Sequence, residues 1–183
     1  MRKVNAIVTA AMLALVIVHM VWGILQLLGL TAGGSPVFGG LARLLMLLLF
    51  VHIVIGVKLT IDTVIIRKKS GVSYWRENRL FWIRRISGFA LMIFLCFHIA
   101  AFAGVDAAAG ERLRYFGIGR LATQILMVVS LMVHLLTNIP PLRLALGIRD
   151  KGNVRTDLLL VLAVLLFLAG LAFAVYYVRW QLL

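Results

Sequence analysis

Five long apolar runs, separated by charged or glycine-rich stretches, leave this chain one kind of environment to fold in. They cover residues 4–30, 38–66, 86–105, 121–142 and 158–178, and each meets the ~20 apolar residues needed to cross a hydrocarbon core. A soluble fold of 183 residues could not hide a chain that is 63% hydrophobic and only 14% charged. The sequence therefore predicts an all-α integral membrane protein, a single unit over residues 1–183 with five transmembrane helices. The first run follows Arg2 and Lys3 as a secretory signal would. It is too long for a signal and carries a histidine at depth, so it is expected as a retained helix.

The formal charge is +13, yet its placement argues against nucleic acid. Basic residues gather between the apolar runs, where they meet lipid headgroups and aqueous partners. Fourteen of the nineteen lysines and arginines fall on one side of the five-span topology, leaving Arg43, Arg112, Arg114, Arg120 and Arg179 on the other. The positive-inside bias then predicts a cytoplasmic N-terminus and an outer C-terminus. The most basic surface is the connection over residues 67–85, which includes Tyr74 and Trp75. Two readings of it stay open, an interfacial anchor and a docking face for a soluble subunit. The single cysteine, Cys96, lies within an apolar run and offers neither a disulfide nor a soft-metal site within the chain.

The first four runs each carry one histidine near the middle: His19, His52, His98 and His134. Any one alone would read as a polar residue bonded to a neighbouring helix. Four at similar depth on consecutive helices point to function, because an ionisable group in hydrocarbon is unfavourable unless bonded. His19 and His98 are displaced towards the outer side of their runs, while His52 and His134 lie at or just inward of centre. In an up-and-down four-helix bundle, parallel helices sit diagonally across the core. His19 with His98, and His52 with His134, can therefore each bridge the first four helices, one pair outside the other. Two stacked bis-histidine sites suit two haems b, with an axial ligand on each face and no open position for oxygen chemistry. A metal or proton transporter would bring carboxylates to this depth, but Asp62 is the only acidic residue in the five runs.

Other residues fit around such groups. Gly23 and Gly56 each follow a histidine by one turn, leaving space for a porphyrin edge or for close helix packing. Arg84 lies about 40° from the face of His98, and Ser87 about 20°, at ~100° per residue. Both are expected to point into the bundle at its cytoplasmic end and to serve haem propionates, with Arg120 serving the outer end. At the outer side, Gln26, Trp22 and Gln124 are candidate quinone contacts, the amides for a carbonyl and the indole for a ring face.

The stretch from Trp82 to His98, with Ser87-Gly88 about ten residues before the histidine, resembles the third core helix of the dihaem cytochrome b subunits of succinate:quinone oxidoreductases and quinol:fumarate reductases. His134-Leu-Leu-Thr-Asn-Ile-Pro-Pro-Leu-Arg143 resembles the helix that follows. The resemblance implies the same ligand pairing and a place in the cytoplasmic (inner) membrane of a prokaryote. It also implies flavoprotein and iron–sulfur subunits on the cytoplasmic side and a membrane quinone, with menaquinone the expected type. Two departures bear on proton coupling: Met132 stands where some members carry a glutamate, and residues 31–40 contain no acid. The chain is also short for the family. Its expected function is to pass electrons between a quinone and that soluble module, as a quinone-reactive or non-catalytic subunit. The alternatives are a self-contained carrier of the cytochrome b561 kind and a haem-free transporter. A nitrate-reductase-type cytochrome would take two ligands from one helix, and no helix here supplies two.

Overall fold

The computed structural model describes residues 2–32, 34–70, 78–102, 116–148 and 154–182. Those residues form α1 (Arg2–Leu27), α2 (Pro36–Ser70), α3 (Arg79–Phe102), α4 (Ile118–Ala145) and α5 (Val154–Tyr177), closed by a short π-helical turn at Val178–Leu182. There is no strand among them. All five helices are long and apolar enough to cross a membrane. Of the basic connection expected over residues 67–85, residues 67–70 belong to α2 and 79–85 to α3; residues 71–77, with Tyr74 and Trp75, lie outside the described residues, as do Arg112 and Arg114.

Helix ends depart from the hydropathy boundaries for identifiable reasons. α3 starts at Arg79, seven residues before the apolar run, because a charge ends a hydropathy window without ending a helix. α2 has 35 residues, roughly 52 Å at ~1.5 Å per residue. That exceeds a hydrocarbon core of ~30 Å and carries Lys68 and Lys69 beyond it. α1 ends earlier than expected at a glycine in the left-handed region: Gly29, at φ 73°, lets its N–H reach Gln26 O and lets Leu30 N–H reach Leu25 O. This double closure satisfies two terminal carbonyls. Gly147 ends α4 in the same way, with Ile148 N–H on Arg143 O.

α4 continues through Pro140 and Pro141. Proline has no N–H, so Pro141 cannot donate to the carbonyl of Thr137 one turn earlier. That carbonyl instead accepts a 2.9 Å hydrogen bond from Arg84 Nε on α3. Thr137 Oγ1 and Asn138 Nδ2 donate back to Val133 O and His134 O at 2.8 and 2.7 Å, local side-chain bonds one turn back along the helix.

The helices pack as α1 on α2, α3 on α4 and α1 on α4, with α5 against both α1 and α4. Among the described residues α2 and α3 do not approach one another, so an opening remains on that side. A buried cluster towards the α1–α2 turn depends on α5: Met20, Phe116, Met127, Val128, Leu166, Ala169, Phe173 and Tyr176. Phe116 stacks on Phe173 at 6.3 Å and meets Tyr176 edge-on at 5.3 Å, the offset and edge geometries aromatic rings prefer. Arg179 Nη1 donates to Leu28 O at 3.2 Å and ties the end of α5 to the end of α1.

An odd number of spans places the two ends on opposite sides of the membrane. Side-sensitive reporters fused to the N- and C-termini should therefore read opposite compartments. Equal readings would remove one helix from the set of five.

Candidate functional site

The four histidines meet in two pairs, each pair drawn from helices that do not pack on one another. His19 of α1 faces His98 of α3 with ring centres 6.1 Å apart and planes at 78°. His52 of α2 faces His134 of α4 at 6.5 Å and 85°. An imidazole nitrogen lies roughly 1.1 Å from its ring centre, so a direct N–H···N bond of ~3.0 Å would bring two centres to roughly 5 Å. An ion ~2.0–2.1 Å from each nitrogen would set them roughly 6–6.5 Å apart. Both pairs have the second spacing. Among the described residues no three histidine, cysteine, aspartate or glutamate side chains gather. The closed four-ligand geometry of structural zinc is therefore not formed there, whereas two axial imidazoles are the complement that a ring-bound iron lacks.

Three of the histidines are held through Nδ1 by a side chain from another helix. His98 Nδ1 lies 2.8 Å from Gln124 Oε1, His52 Nδ1 3.1 Å from Thr9 Oγ1, and His134 Nδ1 3.3 Å from Ser87 Oγ. Such contacts orient a metal-ligating histidine and free its Nε2 for the ion. They also fix the levels of the two pairs. Thr9 stands ten residues from His19 on α1, Ser87 eleven from His98 on α3, and Gln124 ten from His134 on α4. At ~1.5 Å per residue all three registers put the pairs ~15–16 Å apart along the helix axes.

Ser87-Gly88 acts across the helix interface, on His134 and not on the histidine of its own helix. A Cβ at Gly88 would lie 3.1 Å from His134 Cε1 and 3.3 Å from Nδ1, so the imidazole rests on the bare backbone of α3. Gly23 and Gly56 behave differently. A Cβ on either meets nothing within 4 Å, which rules out close interhelical packing at those glycines and leaves open space one turn from His19 and His52. That space suits the edge of a flat macrocycle.

The other candidates fall in three places. Arg84 and Ser87 face α4, where Ser87 is buried and donates to Arg84 O at 3.2 Å. Arg84 Nε is engaged by Thr137 O, which leaves four further N–H donors on its guanidinium. The neighbouring Arg85 has its guanidinium over Phe81 at 5.0 Å, and its buried Nε has no hydrogen-bond partner among the described residues. Arg120 is exposed at the rim of an open cavity of about 280 Å³ whose walls include Phe97, Ala100 and Thr123. Among the expected quinone contacts, Trp22 stacks on Phe38 at 3.8 Å and 10°. The Trp22 Nε1 donor and the Thr31 hydroxyl are buried without a partner among the described residues. Gln26 makes a long 3.5 Å contact to Ala32 O across the same turn. Gln124 stands apart from these. It is 0% exposed with its carbonyl on His98, so it serves an imidazole and does not line the outer turn.

The sequence gives no sign of Thr9. A threonine ten residues before a histidine on one helix points about 80° away from it, and only the packing of α1 on α2 brings it to His52. No protein-family model, curated protein or solved structure matches this chain.

Gly88→Val should push the His134 ring out of place and weaken retention of a metal group at the inner pair by roughly 10–100-fold, as loss of a supporting contact does. Gly119→Val, where a Cβ meets nothing within 4 Å, should leave it intact. The absorbance of bound group per protein after purification checks this.

Proposed function

We propose that the chain is a dihaem cytochrome b that passes electrons across part of the membrane between a quinone and a cytoplasmic flavoprotein/iron–sulfur module, as the anchors of succinate dehydrogenases and fumarate reductases do. The observation that carries the reading is the spacing of the two histidine pairs, 6.1 and 6.5 Å between ring centres, too wide for direct hydrogen bonds and right for an ion between. Haem iron held between such pairs would supply one-electron transfer. The protein's part is to hold, space and tune it. His19 and His98 hold the outer group, and His52 and His134 the inner one. Thr9, Ser87 and Gln124 fix three of the imidazoles, while Gly23 and Gly56 leave room for ring edges.

Arg84 and Arg85 supply cationic donors near the inner pair, where ionised propionates need them, and Arg120 supplies one at the outer end. Two haem groups would be held ~15–16 Å apart along the helix axes, one by His19 with His98 and the other by His52 with His134. The basic inner end, with Lys68 and Lys69 projecting on α2, is the cytoplasmic one by charge bias. A self-contained carrier of the cytochrome b561 kind is the second reading, favoured by both pairs being complete within one chain. Flavin and iron–sulfur subunits that co-purify in mild detergent would decide for the first.

The purified chain should hold two b-type haems. His19→Ala or His98→Ala should remove one and spare the other, and His52→Ala or His134→Ala should do the reverse. Full haem in all four variants would defeat the reading. For the quinone, the unpartnered Trp22 and Thr31 groups mark the turn between α1 and α2. Gln26→Leu should slow quinone turnover several-fold with both haems retained, and unchanged turnover would take Gln26 out of the site.

A further inference from the structure

The contacts on the histidine Nδ1 atoms differ in kind between the two pairs. His98 meets an amide carbonyl, Gln124 Oε1, at 2.8 Å. A carbonyl has no proton to give, so His98 must be the donor. Gln124 is 0% exposed, and its Nε2 points to Thr123 Oγ1 at 3.4 Å, which leaves Oε1 committed to the imidazole. The inner pair has only hydroxyls, at longer range: Thr9 at 3.1 Å from His52 and Ser87 at 3.3 Å from His134. Ser87 also lies within one turn of Arg84 and Arg85, two guanidiniums with no carboxylate partner among the described residues.

We infer that Gln124 is a positioning residue that acts through His98 to lower the reduction potential of the metal group held by the outer pair. This rests on the two-haem reading. A strong acceptor on Nδ1–H moves electron density towards Nε2 and makes the imidazole a better donor to the metal. That stabilises the oxidised, more positive state at the outer end. At the inner end the bonds are longer and the nearby cations oppose the oxidised state.

The test is redox titration of the purified protein, with the outer component assigned as the one lost in His19→Ala. Gln124→Met keeps the bulk of the side chain and removes the acceptor. It should raise the outer midpoint by about ten-fold in the reduction equilibrium, ~59 mV for one electron, and leave the inner midpoint in place. Gln124→Glu keeps an oxygen at the same reach and should produce no rise. An unmoved outer midpoint in Gln124→Met, or an equal rise in both variants, would overturn the inference. Should Gln124→Met lose the outer haem, retention in Gln124→Glu supports the positioning role and loss in both defeats it. The haem content of the unsubstituted protein is measured first. A chain without haem would refute the two-haem reading itself, a result separate from any outcome in the variants.

Discussion

An imidazole inside hydrocarbon has two nitrogens and no water to satisfy either. Much of this architecture follows from how the chain answers that constraint. On three of the four rings Nδ1 is taken by a neighbouring helix through Thr9, Ser87 or Gln124, and each contact joins two helices at a defined level. α2 is registered to α1 through His52 and Thr9, and α3 to α4 through Ser87 with His134 and Gln124 with His98. The two rings of each pair stand 6.1 and 6.5 Å apart between centres, too distant to bond directly. Imidazole nitrogens are thus concentrated between the helices, in two pairs at two levels.

The packing is arranged around that requirement. The largest buried cluster lies where α1 and α4 meet α5, and not between the two histidine pairs. α5 is the most apolar span, with a mean hydropathy of 3.1, and it carries no histidine. Leu162 and Leu166 on it are 0% exposed. α2 shows the opposite pattern, packed among the described residues on α1 alone, with a largely exposed surface and open space at Gly56. A bound macrocycle between α2 and α4 would supply the contacts that α2 lacks. On the two-haem reading, retention of the inner group and ordering of α2 are then one event.

The spans, the all-helical class and the histidine on each of four helices were legible because hydropathy and depth are properties of single segments. Facing of His19 with His98 and of His52 with His134 could be anticipated from helix direction alone. What could not be read was any contact set by rotation between helices. Ser87 was legible as facing inward, but its partner is His134 on α4, since the bare backbone of Gly88 admits that ring and not its own helix's histidine. Gln124 reads from sequence as an outer polar group fit for a quinone, and only the close packing of α4 on α3 turns its carbonyl to His98. The start of α3 was placed late because Arg84 and Arg85 look like an interface in a hydropathy window, although both continue the helix.

Those two arginines also show how local backbone chemistry and function become linked. Pro141 withholds an N–H, Thr137 O is left without its helical donor, and Arg84 Nε reaches from α3 to take its place. A guanidinium drawn this far into the membrane is costly unless its charge is also met, and Arg85 beside it has a buried Nε without a partner among the described residues. Asp62 is the only carboxylate on any of the apolar runs, and it is exposed on α2. The proline pair thus places positive charge at the inner end without providing the anion that would balance it. Ionised propionates of an inner haem would complete this balance, and they would do so beside the histidine pair that binds the iron. On that reading the double proline is part of the binding site, because the carbonyl it frees determines where the cation stands.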